Sequence, residues 1–502
     1  MPPTGMTGSI QSGGAAGRAG RLRKWLLAAL ALLAAGLPQA ARAQLPEPVV
    51  RALAQTGIPE SAAAFYVHEI GAERPLLAAG AERAMNPASS IKLLTTYAGL
   101  ELLGPAYTWV TEAYAAGMLK DEVLAGVLVI LGRGDPKLTL ENFWLLLREL
   151  RARGLREIRG DLVLDRKYFT VEEYDPSRFD DQPTRPYNTV PDALLVNFKA
   201  VRLQFIPDTD ARSIRIVAQP VLPQVQIVNN LALDAKGACG DWVGKLKLDA
   251  QGNSAAARLA FNGIYPASCG ERARNFSVLG HAQYTLGLFR ELWRELGGTL
   301  GGGVRDGDAG AEARLIAAVQ SPSLAEVVRD INKYSNNVMA RQLFLTLGAV
   351  GAGAPAAADK TGRVIRQWLA GKGLSFPELV LENGSGLSRA ERISASSLGQ
   401  LLLTAFRSAV MPELIASLPV AAVDGTMKKR LSGADVAGQA HIKTGSLAGV
   451  RSIAGYVLDS QGRRVVVVFI VNHANAGNAQ PVQDALLRWV YNREAEPCCR
   501  RR

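Results

Sequence analysis

Apolar residues along this chain change their spacing twice. Near the start, 64–70 and 75–79 read as a short strand pair parted by Gly71, and 89–103 reads as a helix stopped by Gly104-Pro105. From about 109 to 279 the pattern breaks into short β-rich runs, among them 124–131, 161–164, 201–206 and 214–218, punctuated by Pro and Gly. Helical spacing returns at 281–296, 324–334, 337–347, 361–370 and 397–405. Two strands at 453–459 and 463–472 and a helix near 482–491 close the pattern. The Gly-rich stretch 297–310 and the Ala/Gly stretch 348–358 read as surface loops. The simplest architecture is an α/β (α+β) domain whose two halves, 44–108 and 280–492, flank a β-rich insertion at 109–279, with a flexible tail at 493–502.

Composition narrows the class. With 48% hydrophobic and 20% charged residues, the 502-residue chain can build large cores and is neither a disordered tail nor a coiled coil. The net charge of +12 overstates the folded part, because Arg18, Arg21, Arg23, Lys24 and Arg42 all precede residue 44 with no acid among them. What remains is mild. It suits loose attraction to a membrane or cell-wall surface and offers no concentrated patch for nucleic acid. Residues 18–24 form a basic segment, 25–37 an apolar run too short to span a membrane, and Ala41-Arg42-Ala43 a small-x-small cleavage site. The expectation is a cleavable signal peptide over 1–43 and export to the periplasm.

Four cysteines fit an oxidising compartment. Cys239 and Cys269 are a candidate disulfide, with two free thiols as the alternative; Cys498 and Cys499 stand in the tail. The four histidines are scattered, so no metal-ligand spacing appears, and no cofactor is expected.

The chemistry lies in three short motifs. Ser89-Ser90-Ile91-Lys92 puts a hydroxyl in the first turn of a helix with Lys92 one turn on, on the same face. A serine is a poor nucleophile until a neighbour takes its proton, and a lysine does so only when neutral. Burial and a second cation lower a lysine pKa, and Lys443 is the natural second cation. Ser335-Asn336-Asn337 falls between two helical patterns; Ser335 could relay a proton or simply cap the next helix, and Asn337 could hold a substrate amide. Lys443-Thr444-Gly445-Ser446 precedes the terminal strands, so it lies at a sheet edge. There Gly445 would let an extended peptide approach, and Lys443, Thr444 and Ser446 could hold its carboxylate. A second copy, Lys360-Thr361-Gly362, leads into an apolar helical stripe and reads as a helix start.

Together with Asn86-Pro87-Ala88 before Ser89, Gly134-Asp135-Pro136-Lys137-Leu138-Thr139, Asn383-Gly384-Ser385-Gly386-Leu387-Ser388-Arg389 and Asp424-Gly425-Thr426-Met427, these motifs resemble a known family. It is the D-alanyl-D-alanine carboxypeptidase/endopeptidase family of low-molecular-mass class C penicillin-binding proteins. The resemblance covers about 64–490 and includes the long insert between Ser89 and Ser335. It implies a β-lactamase/transpeptidase-like serine peptidase, inhibited by β-lactams, acting on peptidoglycan stem peptides that end in D-Ala-D-Ala. Ser89 would be the nucleophile and Lys92 its base; Ser335, Asn337 and Lys443 would complete the catalytic set. Thr444, Gly445, Ser446, Ser385 and Leu387 would contact substrate. Arg389, with Asp181 and Tyr187 from the insert, would meet a diaminopimelate side chain. A β-lactamase or esterase on a related fold fits the long insert poorly. A non-catalytic wall-binding protein fits the complete set of catalytic residues poorly.

Overall fold

The computed structural model describes residues 5–10, 44–170 and 175–493. Apart from 5–10, the expected signal peptide lies outside the described residues, as does the Cys498-Cys499 tail. Two hydrophobic cores organise the chain from Leu45 onward.

The first is built on a five-stranded antiparallel sheet. Its strands run in the order Ala440–Leu447, Val450–Leu458, Arg464–Asn472, Ala63–Glu69, Leu77–Ala79. The central strand is a run of Val, Phe and Ile buried on both faces, which is why it reads as continuously apolar. On one side Val466, Val468 and Ile470 face helix Ala395–Phe406 and share a core with helices Lys92–Leu103, Leu324–Tyr334 and Asn337–Ala352. Helix Gln480–Tyr491 packs on the other side and against Glu47–Thr56. Early and late segments of the chain thus share one sheet.

The second core gathers the inserted strands around Phe205, Phe261, Tyr265 and Phe276. It holds a seven-stranded sheet and two three-stranded sheets. The candidate disulfide forms: Cys239 and Cys269 are bonded, with 4.7 Å between their Cα atoms.

Several expectations need correcting. The β-rich insert also holds a helix the pattern did not single out, Leu140–Ala152, which is amphipathic and buries Phe143, Leu146, Leu147 and Leu150, with Thr139 as its cap. Stretch 297–310 holds strands Thr299–Leu300 and Val304–Asp306, paired in parallel with Glu157–Ile158 and Leu162–Asp165. Its glycines serve close strand approach: a Cβ on Gly302 would stand 2.5 Å from the Gly160 carbonyl oxygen. Stretch 348–358 begins inside helix Asn337–Ala352, where Gly348 lets Thr361 of the next helix come close. Strand Arg314–Gln320 pairs with Val110–Lys120, and helix His281–Glu295 belongs to the second core. By packing, the chain therefore returns to the first core at Leu324 rather than near 280. Arg493, expected to open the tail, is ion-paired with Glu69 and Asp459.

Candidate active site

Ser89 lies in a 3-10 turn, Ala88–Ile91, that feeds helix Lys92–Leu103. The turn is held in an unusual shape, for Ala88 has φ 46°, the left-handed region that L residues avoid. Its surroundings impose that shape. The Ala88 N–H donates to Asn86 Oδ1 at 2.8 Å, and the Asn86 amide donates to the Ser388 carbonyl. Ser452 Oγ donates to the Pro87 carbonyl and bonds Ser90 Oγ. Ser90, the other hydroxyl of the motif, is therefore fully buried structure.

Two glycines close around the turn. A Cβ on Gly386 would lie 2.1 Å from the Ala88 carbonyl oxygen, and one on Gly445 would lie 2.2 Å from Ser452 Oγ and 2.6 Å from the Pro87 carbonyl oxygen. Gly445 thus makes room for the turn that carries Ser89, a role its place in the motif did not suggest.

Both lysines sit in this dry interior, 0% exposed. Lys92 Nζ donates to Ser89 Oγ at 2.9 Å, to Asn337 Oδ1 at 2.6 Å, and to the Ser385 carbonyl. Burial holds its pKa well below the ordinary lysine value; Lys443 and Arg341 push the same way and Glu391 opposes them. Lys443 Nζ donates to Ser335 Oγ at 2.8 Å and to the Thr444 carbonyl at 2.7 Å, and burial brings its pKa down to about 7. Each catalytic-type lysine therefore has its own serine.

Ser335 does not cap the next helix. It ends Leu324–Tyr334 in the left-handed conformation, and Asn336 caps Asn337–Ala352 by accepting from the Met339 N–H. Splitting the two caps between neighbouring residues turns the Ser335 hydroxyl to Lys443 and the Asn337 amide to Lys92.

Lys443 is on the edge strand, as its position in the sequence suggested. Residues 419–421 cover that edge only as far as Ile442: the Ile442 N–H donates to Pro419 and the Ala421 N–H to Ala440. By antiparallel alternation the backbone groups of Thr444 and Ser446 face the same outer edge. Thr444 Oγ1 donates to Thr426 Oγ1, and Ser446 is exposed.

The loop with Ser385 carries a second correction. The Ser385 side chain is fully buried, its hydroxyl donating to Asn383 Oδ1, and what it supplies to the site is its carbonyl on Lys92. Leu387 and Arg389 line a cleft of about 690 Å³ together with Arg341, Phe344 and Phe179. The Arg389 guanidinium stacks 4.8 Å from the Phe179 ring and donates to the Ala448 carbonyl. Asp181 and Tyr187 stay off this cleft wall; Tyr187 donates its hydroxyl to Asp180, and Asp181 is exposed. Sequence reasoning gave no role to Asn86, Ser452, Arg341 or Glu391. Of these only Asn86 lay inside a motif that had been noticed.

Residues 45–493 match the model of the D-Ala-D-Ala carboxypeptidase 3 (S13) family. The chain belongs to that family. It is therefore a serine-type peptidase. The chain is 29% identical over 416 residues to the D-alanyl-D-alanine carboxypeptidase of Actinomadura sp. (strain R39), covering 80% of this chain and 76% of that protein. It is 24% identical over 401 residues to the D-alanyl-D-alanine carboxypeptidase DacB of Haemophilus influenzae, covering 79% and 82%. Among solved structures it is similar to penicillin binding protein 4 (dacB) from Haemophilus influenzae, with TM-score 0.75 at 22% identity over 89% of this chain and all of that one. That likeness bears out the α/β fold with its β-rich insertion. The same Haemophilus protein, complexed with a β-lactam, matches with TM-score 0.71. Among the described residues no helix is long and apolar enough to cross a membrane, and no group of His, Cys, Asp and Glu is placed to hold a metal.

Proposed function

We propose that this S13 peptidase works in the periplasm as a D-alanyl-D-alanine carboxypeptidase, with endopeptidase action on the same class of bond, through an acyl-enzyme on Ser89. The observation that carries the reading is the 2.9 Å approach of a fully buried lysine, Lys92, to the Ser89 hydroxyl. Neutral Lys92 takes the Ser89 proton as Oγ bonds to the carbonyl carbon of the penultimate D-alanine. The oxyanion so formed meets the N–H groups of Ser89 and Ser446. Collapse breaks the C–N bond, and the terminal D-alanine leaves as an amine after receiving a proton through Ser335 and Lys443. Water then adds to the ester, gives a proton to the same bases and frees Ser89.

The substrate lies along the open edge at Thr444 and Ser446, as an added strand. Thr444, Ser446 and Lys443 hold its terminal carboxylate, and Asn337 an amide. Arg389, on the cleft wall beside Leu387, takes a side-chain carboxylate of the diaminopimelate kind. β-Lactams acylate Ser89 in the substrate's place. The mild positive charge suits loose wall or membrane attachment.

The test is D-alanine release from synthetic stem peptides, followed by chromatography. Wild type should release one equivalent, and Ser89→Ala none. Arg389→Ala should raise KM about tenfold for a diaminopimelate peptide and leave it unchanged when that residue is replaced by lysine lacking the carboxylate. Release by Ser89→Ala at the wild-type rate would refute the proposal.

A further inference from the structure

We infer that Glu391 is a positioning residue for the Ser89–Lys92 pair, acting as the buried anion that ties down the loop whose carbonyl holds Lys92. This deepens the proposed function and rests on Lys92 being the base. Glu391 is 0% exposed, and four backbone N–H groups converge on its carboxylate. Oε1 accepts from Gly384 at 2.8 Å, Asn383 at 3.0 Å and Glu382 at 3.3 Å, and Oε2 accepts from Gly386 at 3.0 Å. A protonated acid would set an O–H against these donors, so the geometry fits the ionised form. Burial pushes the Glu391 carboxyl up, while those N–H groups and Lys92 pull it down.

The tied loop reaches both partners of the reacting pair. Ser385 gives its carbonyl to Lys92, and Gly386 presses on the backbone of Ala88 and Ser89. Glu391 is itself fixed from below, since its N–H and that of Ala390 donate to Ser388 Oγ, and the Ser388 carbonyl receives the Asn86 amide. One chain of contacts thus runs from Glu391 through the loop to the turn that holds the nucleophile. Around Lys92 the charged groups are Lys443 from the edge strand, Arg341 from helix Asn337–Ala352 and Glu391. Glu391 is the one that favours the ammonium form. Its charge therefore also raises the pH at which Lys92 becomes a base, against burial and Lys443.

The test is the rate of acylation by benzylpenicillin against pH, read by intact mass, for wild type, Glu391→Gln and Glu391→Asp, with Tm measured on each. Glu391→Gln puts an NH2 against a backbone N–H and removes the charge. Acylation should slow by about 100-fold, as expected for a displaced reacting pair. Without the anion the Lys92 pKa falls, so the acid limb should move to lower pH. Glu391→Asp keeps the charge, so its limb should stay at the wild-type pH even as the rate drops. An unmoved limb in Glu391→Gln, or acylation at the wild-type rate, would overturn the inference. Should Glu391→Gln not fold, Glu391→Asp decides alone: a slowed rate with a fixed limb supports it, and a wild-type rate overturns it. Failure of the wild-type protein to acylate would instead refute the proposed function beneath it.

Discussion

Two regions of this protein bury lysines, and they differ in what each buried amine is given to bond. In the first core, Lys92 and Lys443 each point at a serine hydroxyl. In the inserted half, Lys199 is also buried and its pKa is brought down to about 8 by burial, against the pull of Asp192. Yet Lys199 donates to the Leu279 carbonyl at 2.7 Å. A carbonyl has no proton to give, so a depressed lysine there holds structure together and nothing more. Around it, Arg166 pairs with Asp192 and Asp306, and Gln342 bonds both the N–H and the carbonyl of Asp192, fastening the insert to the helix that begins at Asn337. Desolvation is common to both regions. Only the first offers the lysine a serine hydroxyl as partner.

Changing each lysine in turn tests that contrast. Lys92→Met should lower acylation by on the order of 10⁴-fold or more, because Lys92 is the amine bonded to the Ser89 hydroxyl. Lys443→Met should cost about 10²- to 10³-fold through the loss of the Ser335 partner. It should also shift the pH profile. Lys443 is one of the cations that lower the Lys92 pKa, so its removal raises that pKa and moves the acid limb to higher pH, opposite to Glu391→Gln. An unmoved limb would show that the two lysines do not sense each other.

Lys199→Met should leave acylation within about twofold and change stability by about 1–3 kcal/mol, as expected when a buried carbonyl loses its donor. Linkage gives that variant a second signature. The folded-state pKa of Lys199 lies below the unfolded value, so the unfolded chain binds more protons between about 8 and the ordinary lysine range. Stability gained from this group therefore rises with pH across that window, and the rise should be missing in Lys199→Met. Denaturant unfolding at a series of pH values measures both effects.

The same contrast marks what was legible in the chain. The serine–lysine motif could be read because residues i and i+3 share a face in a 3-10 turn as in an α-helix, and the turn Ala88–Ile91 runs straight into helix Lys92–Leu103. The two Lys-Thr-Gly copies were separable for a similar reason. One preceded strands and lies on an edge, while the other opens helix Ala358–Gly371 with Lys360 half-buried and bonded to the Pro355 carbonyl. Local rules failed where contacts are remote in sequence. Gly301 and Gly302 looked like loop residues because the Arg159–Gly160 backbone they press against is far back in the chain. Helix Leu140–Ala152 was lost inside a stretch judged by its overall β texture. Glu391, Ser452 and Arg341 carried no signal, since a lone Glu, Ser or Arg gains meaning only from the groups that tertiary packing brings to it. Ser385 and Gly445 stand inside motifs legible in the sequence, but packing gives them partners no motif shows: Asn383 Oδ1 for the Ser385 hydroxyl, and Ser452 Oγ with the Pro87 carbonyl beside Gly445.

The central claim is that Ser89 is the nucleophile of a lysine-assisted acyl transfer. Intact mass of the protein after excess benzylpenicillin, beside Ser89→Ala, tests it most directly. The account predicts one covalent adduct per chain, mapped to the peptide containing Ser89, lasting long enough to be weighed and absent from the variant. An adduct of equal yield in Ser89→Ala, or no adduct in wild type, would contradict it.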